Sequence, residues 1–193
     1  MKVAMTNTKG GVGKTTSAVY LACALAQSMS VEVIDVDVQG SATEWAQRAE
    51  EAGDPLPFPV RSANLVQLRR LEPTADVTLI DTPPGDPRLI DAALSVADLV
   101  IIPSAPSALD MSRVWETEAV ASAHAPTYVL LTQVDTRARG GDAAMAALDQ
   151  QGVGHFETLI GMREAIRQSF GLNPGNNLYR YEDAAAELLE ALR

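Results

Sequence analysis

Residues 2–16 constrain the fold of this chain more than any other stretch. An apolar run over 2–6 leads into Lys9-Gly10-Gly11-Val12-Gly13-Lys14-Thr15-Thr16, and a helical pattern follows over 15–28, with Ala18, Leu21, Ala22 and Leu25 on one stripe. Strand, glycine loop and helix in direct succession make a phosphate-binding arrangement. Successive backbone N–H groups must turn toward one anion, which Cβ atoms would obstruct, and the helix N-terminus adds partial positive charge. In such a loop Lys14 supplies a mobile cation to the β and γ phosphates, and Thr15 supplies a hydroxyl for Mg²⁺.

The rest of the chain repeats strand then helix. Short apolar runs at 31–36, 77–80, 99–102 and 128–131 read as buried parallel strands. Between and after them, 42–51, 64–71, 89–96, 107–124 and 142–151 carry helical spacing. The proline-rich stretch 53–59 leads into a short edge strand near 58–61. This alternation predicts an α/β fold, a single doubly wound, mostly parallel sheet flanked by helices, with one domain over 1–193. Ser41, three residues before Glu44, and Asp142 read as helix caps. The final run, 182–193, predicts an acidic amphipathic helix docked on the sheet, with Ala185, Leu188, Leu189 and Leu192 on one stripe.

Composition narrows the function. With 15 Lys+Arg against 25 Asp+Glu the formal charge is −10, which argues against a constitutively basic nucleic-acid binder. Cys23 is the only cysteine, so an intrachain disulfide and a four-cysteine zinc or iron–sulfur site built by one chain are excluded, and a reducing cytoplasmic setting is the default. The apolar run at the N-terminus is too short for a signal peptide, and no stretch reaches the ~18 apolar residues of a membrane span. Cys23, His124, His155, Trp45 and Trp115 read as structural residues.

Two further segments carry chemistry. Asp35-Val36-Asp37-Val38-Gln39-Gly40-Ser41-Ala42-Thr43 sets two carboxylates at i and i+2, on one side of an extended strand, so that both face the phosphate loop. In Leu79-Ile80-Asp81-Thr82-Pro83-Pro84-Gly85 an apolar strand ends in an acid, the pattern of a carboxylate at a strand's C-terminal edge reaching Mg²⁺.

The loop departs from the common GxxxxGK[ST] pattern. Thr8 stands where its first glycine would be, and Lys9 adds a second cation. Lys9 to Thr16 resembles the deviant Walker A motif of the ParA/MinD group of P-loop NTPases (SIMIBI class), dimerising ATPases related to the nitrogenase iron protein. Residues 35–43 resemble that group's DxDPQGNAT signature, with Val38 for proline and Ser41 for asparagine, and 83–85 resembles its γ-phosphate-sensing switch loop. The resemblance covers roughly the first 135 residues. It implies ATP and Mg²⁺ as ligands, held by Lys9, Gly10, Gly11, Val12, Gly13, Lys14, Thr15 and Thr16. Lys9 would reach across a dimer to the partner's nucleotide, Asp37 would hold the attacking water or the Mg²⁺ shell, and Asp81 with Thr15 would serve the metal. Asp35, Gln39, Pro84 and Gly85 belong to the switches. Gln133, within Leu131-Thr132-Gln133-Val134-Asp135, either touches adenine or is an ordinary polar strand end. Near 159–163, where the group usually carries Pro-Arg, this chain reads Leu-Ile-Gly-Met-Arg.

The resemblance further implies an ATP-dependent homodimer on nonspecific nucleoid DNA, with a ParB-like or other adaptor protein stimulating hydrolysis during plasmid or chromosome segregation. Arg163 and Arg167, four apart on a predicted helix, are the candidates for DNA phosphates, with Arg137, Arg139 and Arg180 near them and Asp142, Asp149, Glu157, Glu164 and Glu182 opposing them. The chain starts at its first strand, which fits a short ParA branch without an N-terminal helix-turn-helix. The acidic C-terminus argues against the membrane-cycling MinD branch. Two other readings stay open: a ParA-like ATPase positioning a protein cargo such as a microcompartment or polar complex, and a dethiobiotin-synthetase-like metabolic enzyme. Lys9 together with the DxDxQG segment favours the partition reading over the metabolic one.

Overall fold

The computed structural model describes residues 1–135 and 137–191. Six parallel strands form one sheet: β1 (Lys2–Met5), β2 (Val31–Asp35), β3 (Val60–Ser62), β4 (Val77–Asp81), β5 (Leu99–Ser104) and β6 (Thr127–Leu131), in the order β3-β2-β4-β1-β5-β6. Because side chains alternate along a strand, each strand feeds two cores. Val3, Met5, Val33, Leu79 and Ile101 face one side, while Ala4, Ile34, Ile80, Val100 and Ile102 face the other. The helices α1 (Lys14–Leu25), α2 (Ser41–Glu51) and α8 (Tyr181–Glu190) cover the first face; α3 (Leu65–Arg69), α4 (Pro87–Val96), α5 (Ala108–Ala121) and α6 (Gly140–Gln151) cover the second. The doubly wound expectation holds, and every strand pairing is parallel. α1, buried on almost every side, shows why its sequence is apolar and small all round.

The sheet order places β1 between β4 and β5, so the loops after β1 and β4 open side by side at the carboxyl edge. Ligands bind at such a crevice in open α/β sheets. Beyond β6 the segment 154–162 runs alongside it: the Val129 N–H donates to the Gly154 carbonyl at 2.9 Å, Phe156 N–H to Val129 at 3.0 Å, and Ile160 N–H to Leu131 at 2.9 Å. Those bonds cover the outer edge of β6, where sequence patterning showed no strand.

Several local expectations are corrected. Ser41 is the first residue of α2 rather than its cap; Gly40, left-handed, precedes it, and no side chain caps that helix. Asp142 lies inside the first turn of α6, which begins at Gly140. A capping box occurs instead at Asn64, whose side chain accepts from Val66 and Gln67 N–H while Gln67 accepts from the Asn64 N–H. The edge strand is Val60–Ser62, directly after Pro59 and beginning two residues later than expected. The predicted helix holding Arg163 and Arg167 is the single turn α7 (Glu164–Arg167), with Arg163 outside it in extended backbone. The C-terminal helix packs chiefly on α1 through Tyr181, Ala184, Ala185 and Leu188; Leu192 lies outside the described residues. Glu187 ties it to the sheet side by accepting from the Glu157 and Thr158 N–H groups at 2.7 and 2.9 Å.

Candidate functional site

The loop between β1 and α1 is shaped by its carbonyl groups. Thr132 donates its hydroxyl to the Val12 carbonyl at 2.9 Å, and Gln133 donates its amide to the Gly11 carbonyl at 2.7 Å. Each peptide plane holds its N–H opposite its C=O, so the Val12 and Gly13 N–H groups point the other way, into the loop. Gly13 precedes α1 at φ +89°, a left-handed conformation that a side chain would strain, and the Ser17 N–H donates to its carbonyl at 2.7 Å. Lys14, 7% exposed, donates its ammonium to the Asn7 and Lys9 carbonyls at 3.1 and 3.0 Å. Burial lowers its pKa, while Asp81 and Asp37 raise it. The carboxylates do the work of keeping a cation in a desolvated place.

Asp81 ends β4 opposite Asp35 in the sheet register. Its Oδ2 accepts the Thr15 hydroxyl at 2.7 Å, whereas Oδ1 is buried without a hydrogen-bond partner among the described residues. Burial pushes its pKa up to about 7, the Thr15 hydroxyl and Lys14 opposing the rise while Asp35 and Asp37 add to it. A buried carboxylate oxygen with no donor, beside a hydroxyl, is a place prepared for a cation. Among the described residues no three His, Cys, Asp or Glu side chains cluster as a metal cage. That suits Mg²⁺, which uses one or two protein oxygens along with water and substrate phosphate. When bound there, held by Thr15 and Asp81, it would neutralise developing phosphate charge.

Asp35 and Asp37 do not act as a pair. β2 stops at Asp35, whose buried carboxylate accepts from the Asp37 N–H at 3.1 Å and from the Thr43 N–H and hydroxyl at 2.8 Å each. It therefore fastens the turn to α2. Only Asp37, half-buried, faces the phosphate cavity, with one oxygen accepting from the Gln39 N–H at 2.9 Å. Val38 is 89% exposed, and Gln39 is exposed beside it. Pro84 meets the P-loop, since a Cβ on Gly10 would lie 3.7 Å from its Cγ; Gly85, at φ +79°, makes the turn beyond.

The cavity measures about 690 Å³ and runs from Gly10, Lys14, Thr15 and Asp37 to Gln133, Met162, Arg163 and Phe170. A second groove of about 760 Å³, on the far side of Asp37, is lined by no P-loop residue. Arg163 and Arg167 thus line the same cavity as the P-loop. Gln133 sits there too, at φ +53°, with its amide nitrogen donating to the Gly11 carbonyl.

Asp110 and the place of Trp45 escaped sequence reasoning. Lys9, 38% exposed at its side chain, pairs with the buried carboxylate of Asp110, which also accepts the Ser107 hydroxyl. Ser107 caps α5, so an S-x-x-D start was legible but its use to hold Lys9 was not. Trp45, expected to be simple packing, lines the cavity and donates its indole N–H to the Leu172 carbonyl at 2.8 Å.

A strand, a phosphate loop with two lysines, and an acid at the next strand's edge define a P-loop nucleotide-binding site. The family described as the CobQ/CobB/MinD/ParA nucleotide binding domain matches residues 3–173, and the chain belongs to it. Among its relatives is the maintenance of carboxysome distribution protein A of Gloeobacter kilaueensis, 39% identical over 163 residues that cover 82% of this chain and 75% of that protein. Protein ParA of Rhizobium radiobacter is 28% identical over 202 residues, covering 98% and 90%. The fold matches that of McdA of Cyanothece, solved as a complex with ATP, at TM-score 0.77 and 18% identity, covering 98% of this chain and 96% of that one. The protein is a nucleotide-binding P-loop ATPase of the MinD/ParA type.

Proposed function

We propose that this protein is a DNA-tethered ATP switch that positions cargo. ATP pairs two copies, the paired form holds nonspecific DNA, and an adaptor protein of ParB type or an equivalent stimulates hydrolysis and releases it. The observation that carries the reading is Lys9, a second cation of the phosphate loop that stays 38% exposed and is paired with Asp110, neither residue lining the phosphate cavity. Two ATP-bound copies facing each other bring many negative charges together. A lysine from each, released from Asp110, would offset the phosphates of the other.

Carboxysome distribution in the 39% identical relative favours a protein body as cargo, with segregation of a plasmid or chromosome the second reading on the similarity to ParA. DNA contact by Arg163 and Arg167, with Arg137 and Arg139, draws support from the pairing of Val134 with Gly161, which brings their loops side by side. In a chain of charge −10 such a patch is local, and pairing would present it twice. The protein would act as one ParA-like domain over 1–193, cytoplasmic and nucleoid-associated, without a membrane partner; no helix among the described residues is long and apolar enough to cross a bilayer.

Sedimentation of the wild type in Mg-ATP and Mg-ADP, beside Lys9→Ala, tests the pairing. A dimer in Mg-ATP alone, lost in the variant, is expected. A monomer under all conditions would overturn the proposal.

A further inference from the structure

The cleft that holds the P-loop is also lined by Met162, Ile166 and Phe170. Met162 and Phe170 remain 55% and 39% exposed, unusual for large apolar side chains in a chain that buries most of them. Among the polar side chains lining the same cavity, Thr132 and Gln133 spend their donors on loop carbonyls, and Arg163 and Arg167 stand among the apolar residues. A flat heteroaromatic ring entering here would meet apolar and aromatic surface.

Phe170 is held firmly. Its ring meets Trp45 at 5.4 Å between centroids and an interplanar angle of 64°, and the Arg48 guanidinium lies 5.2 Å from the ring centroid. The next residue, Gly171, has φ +82°, and a Cβ there would stand 2.7 Å from the Arg48 Cβ, so the turn lies directly on α2. The Trp45 indole bond to Leu172 closes the same junction. Trp45 meets the ring in a T-shaped contact and Arg48 stacks over it, yet Phe170 still lines the cavity and is 39% exposed, so ring surface remains for a planar ligand. α2 begins at Ser41, just after the Asp37 turn, and both Ser41 and Trp45 line the cavity.

We propose that Phe170 is the stacking platform for the purine base of the nucleotide, and that Trp45, a positioning residue, transmits occupancy of that platform through α2 to the Asp37 turn. The proposal rests on the nucleotide occupying this cleft but not on DNA binding or cargo. Base recognition here is by shape and stacking, with the phosphates held separately by the P-loop.

The test uses the full chain carrying Trp115→Phe, which leaves Trp45 as the sole tryptophan. Mg-ATP and Mg-tripolyphosphate are titrated separately while tryptophan emission is followed, and tripolyphosphate binding is read by competition. ATP is expected to shift the emission, while tripolyphosphate binds without shifting it. Adding Phe170→Leu should weaken ATP by about tenfold, the scale of one base–aromatic contact, and leave tripolyphosphate affinity unchanged. Phe170→Tyr should restore ATP affinity. The same emission change with tripolyphosphate, or ATP affinity unaltered by Phe170→Leu, would overturn the proposal. If neither ligand binds, the assignment of the cleft to a nucleotide fails, and the proposal with it. Should Phe170→Leu not fold, the comparison of the two ligands on the Trp115→Phe chain still decides.

Discussion

Asp81 has one carboxylate oxygen bonded to Thr15 and the other buried with no partner among the described residues, and burial raises its pKa to about 7. Leaving such a group unpaired costs stability, and a bound cation would supply the missing partner. Asp81→Asn should therefore raise the melting temperature of the nucleotide-free protein at pH 8 by about 2–4 °C, the shift that ~1 kcal/mol produces in a chain of this size, while abolishing Mg²⁺-dependent hydrolysis. Calorimetry beside a phosphate-release assay checks both; a destabilised but active variant would contradict the assignment. Lys14 is the complementary case. Its ammonium sits in a desolvated loop, where Lys14→Ala should lower hydrolysis by about 100-fold or more with little change in melting temperature. Hydrolysis at the wild-type rate would place the chemistry elsewhere.

Strand β2 depends on a polar tie as well as on apolar packing. Glu32, fully buried, accepts from the Thr74 N–H and hydroxyl at 2.8 and 2.7 Å and from the Thr78 hydroxyl at 2.8 Å, and it pairs with Arg61 of the edge strand β3. Burial alone would raise its pKa, but the Thr74, Thr78 and Arg61 bonds together hold it down at about 2, below the ordinary 4.5. A depressed carboxylate stabilises the fold fully above pH 4.5 and loses that contribution as pH falls toward 2. Glu32→Gln should lower stability at pH 7 and flatten the loss between pH 4.5 and 2, measured by denaturant midpoints across that range. Unchanged acid sensitivity would show the tie to be idle. Leu79→Ala, at a fully buried position of β4, should cost about 2–5 kcal/mol by the same measurement. Elements such as β4 and α1 were legible because an apolar run bounded by glycines or acids has few alternatives. The covering segment 154–162 was not, because its bonds to β6 are long-range and its own residues alternate weakly. Likewise the phosphate loop and Asp81 could be read from local spacing, whereas Asp110, 101 residues from the Lys9 it holds, could not. Asp35 misled for a related reason: strand geometry puts i and i+2 on one side, but the strand ends at Asp35 and the carboxylate turns to Thr43.

At the scale of the whole molecule, the parallel sheet brings the phosphate loop, Asp81, Asp37 and the wall from Gln133 to Phe170 to one edge, with Lys9 paired to Asp110. A net charge of −10 opposes DNA binding by the free chain, so on the proposed reading DNA is held only by an ATP-formed pair that gathers its arginines. The most direct test titrates the purified protein against nonspecific duplex DNA in Mg-ATP and then Mg-ADP at two salt concentrations, with Lys9→Ala in parallel. Binding that requires ATP, weakens steeply with salt and vanishes in Lys9→Ala is expected. ATP-dependent dimers that leave DNA free at both salt concentrations would contradict it.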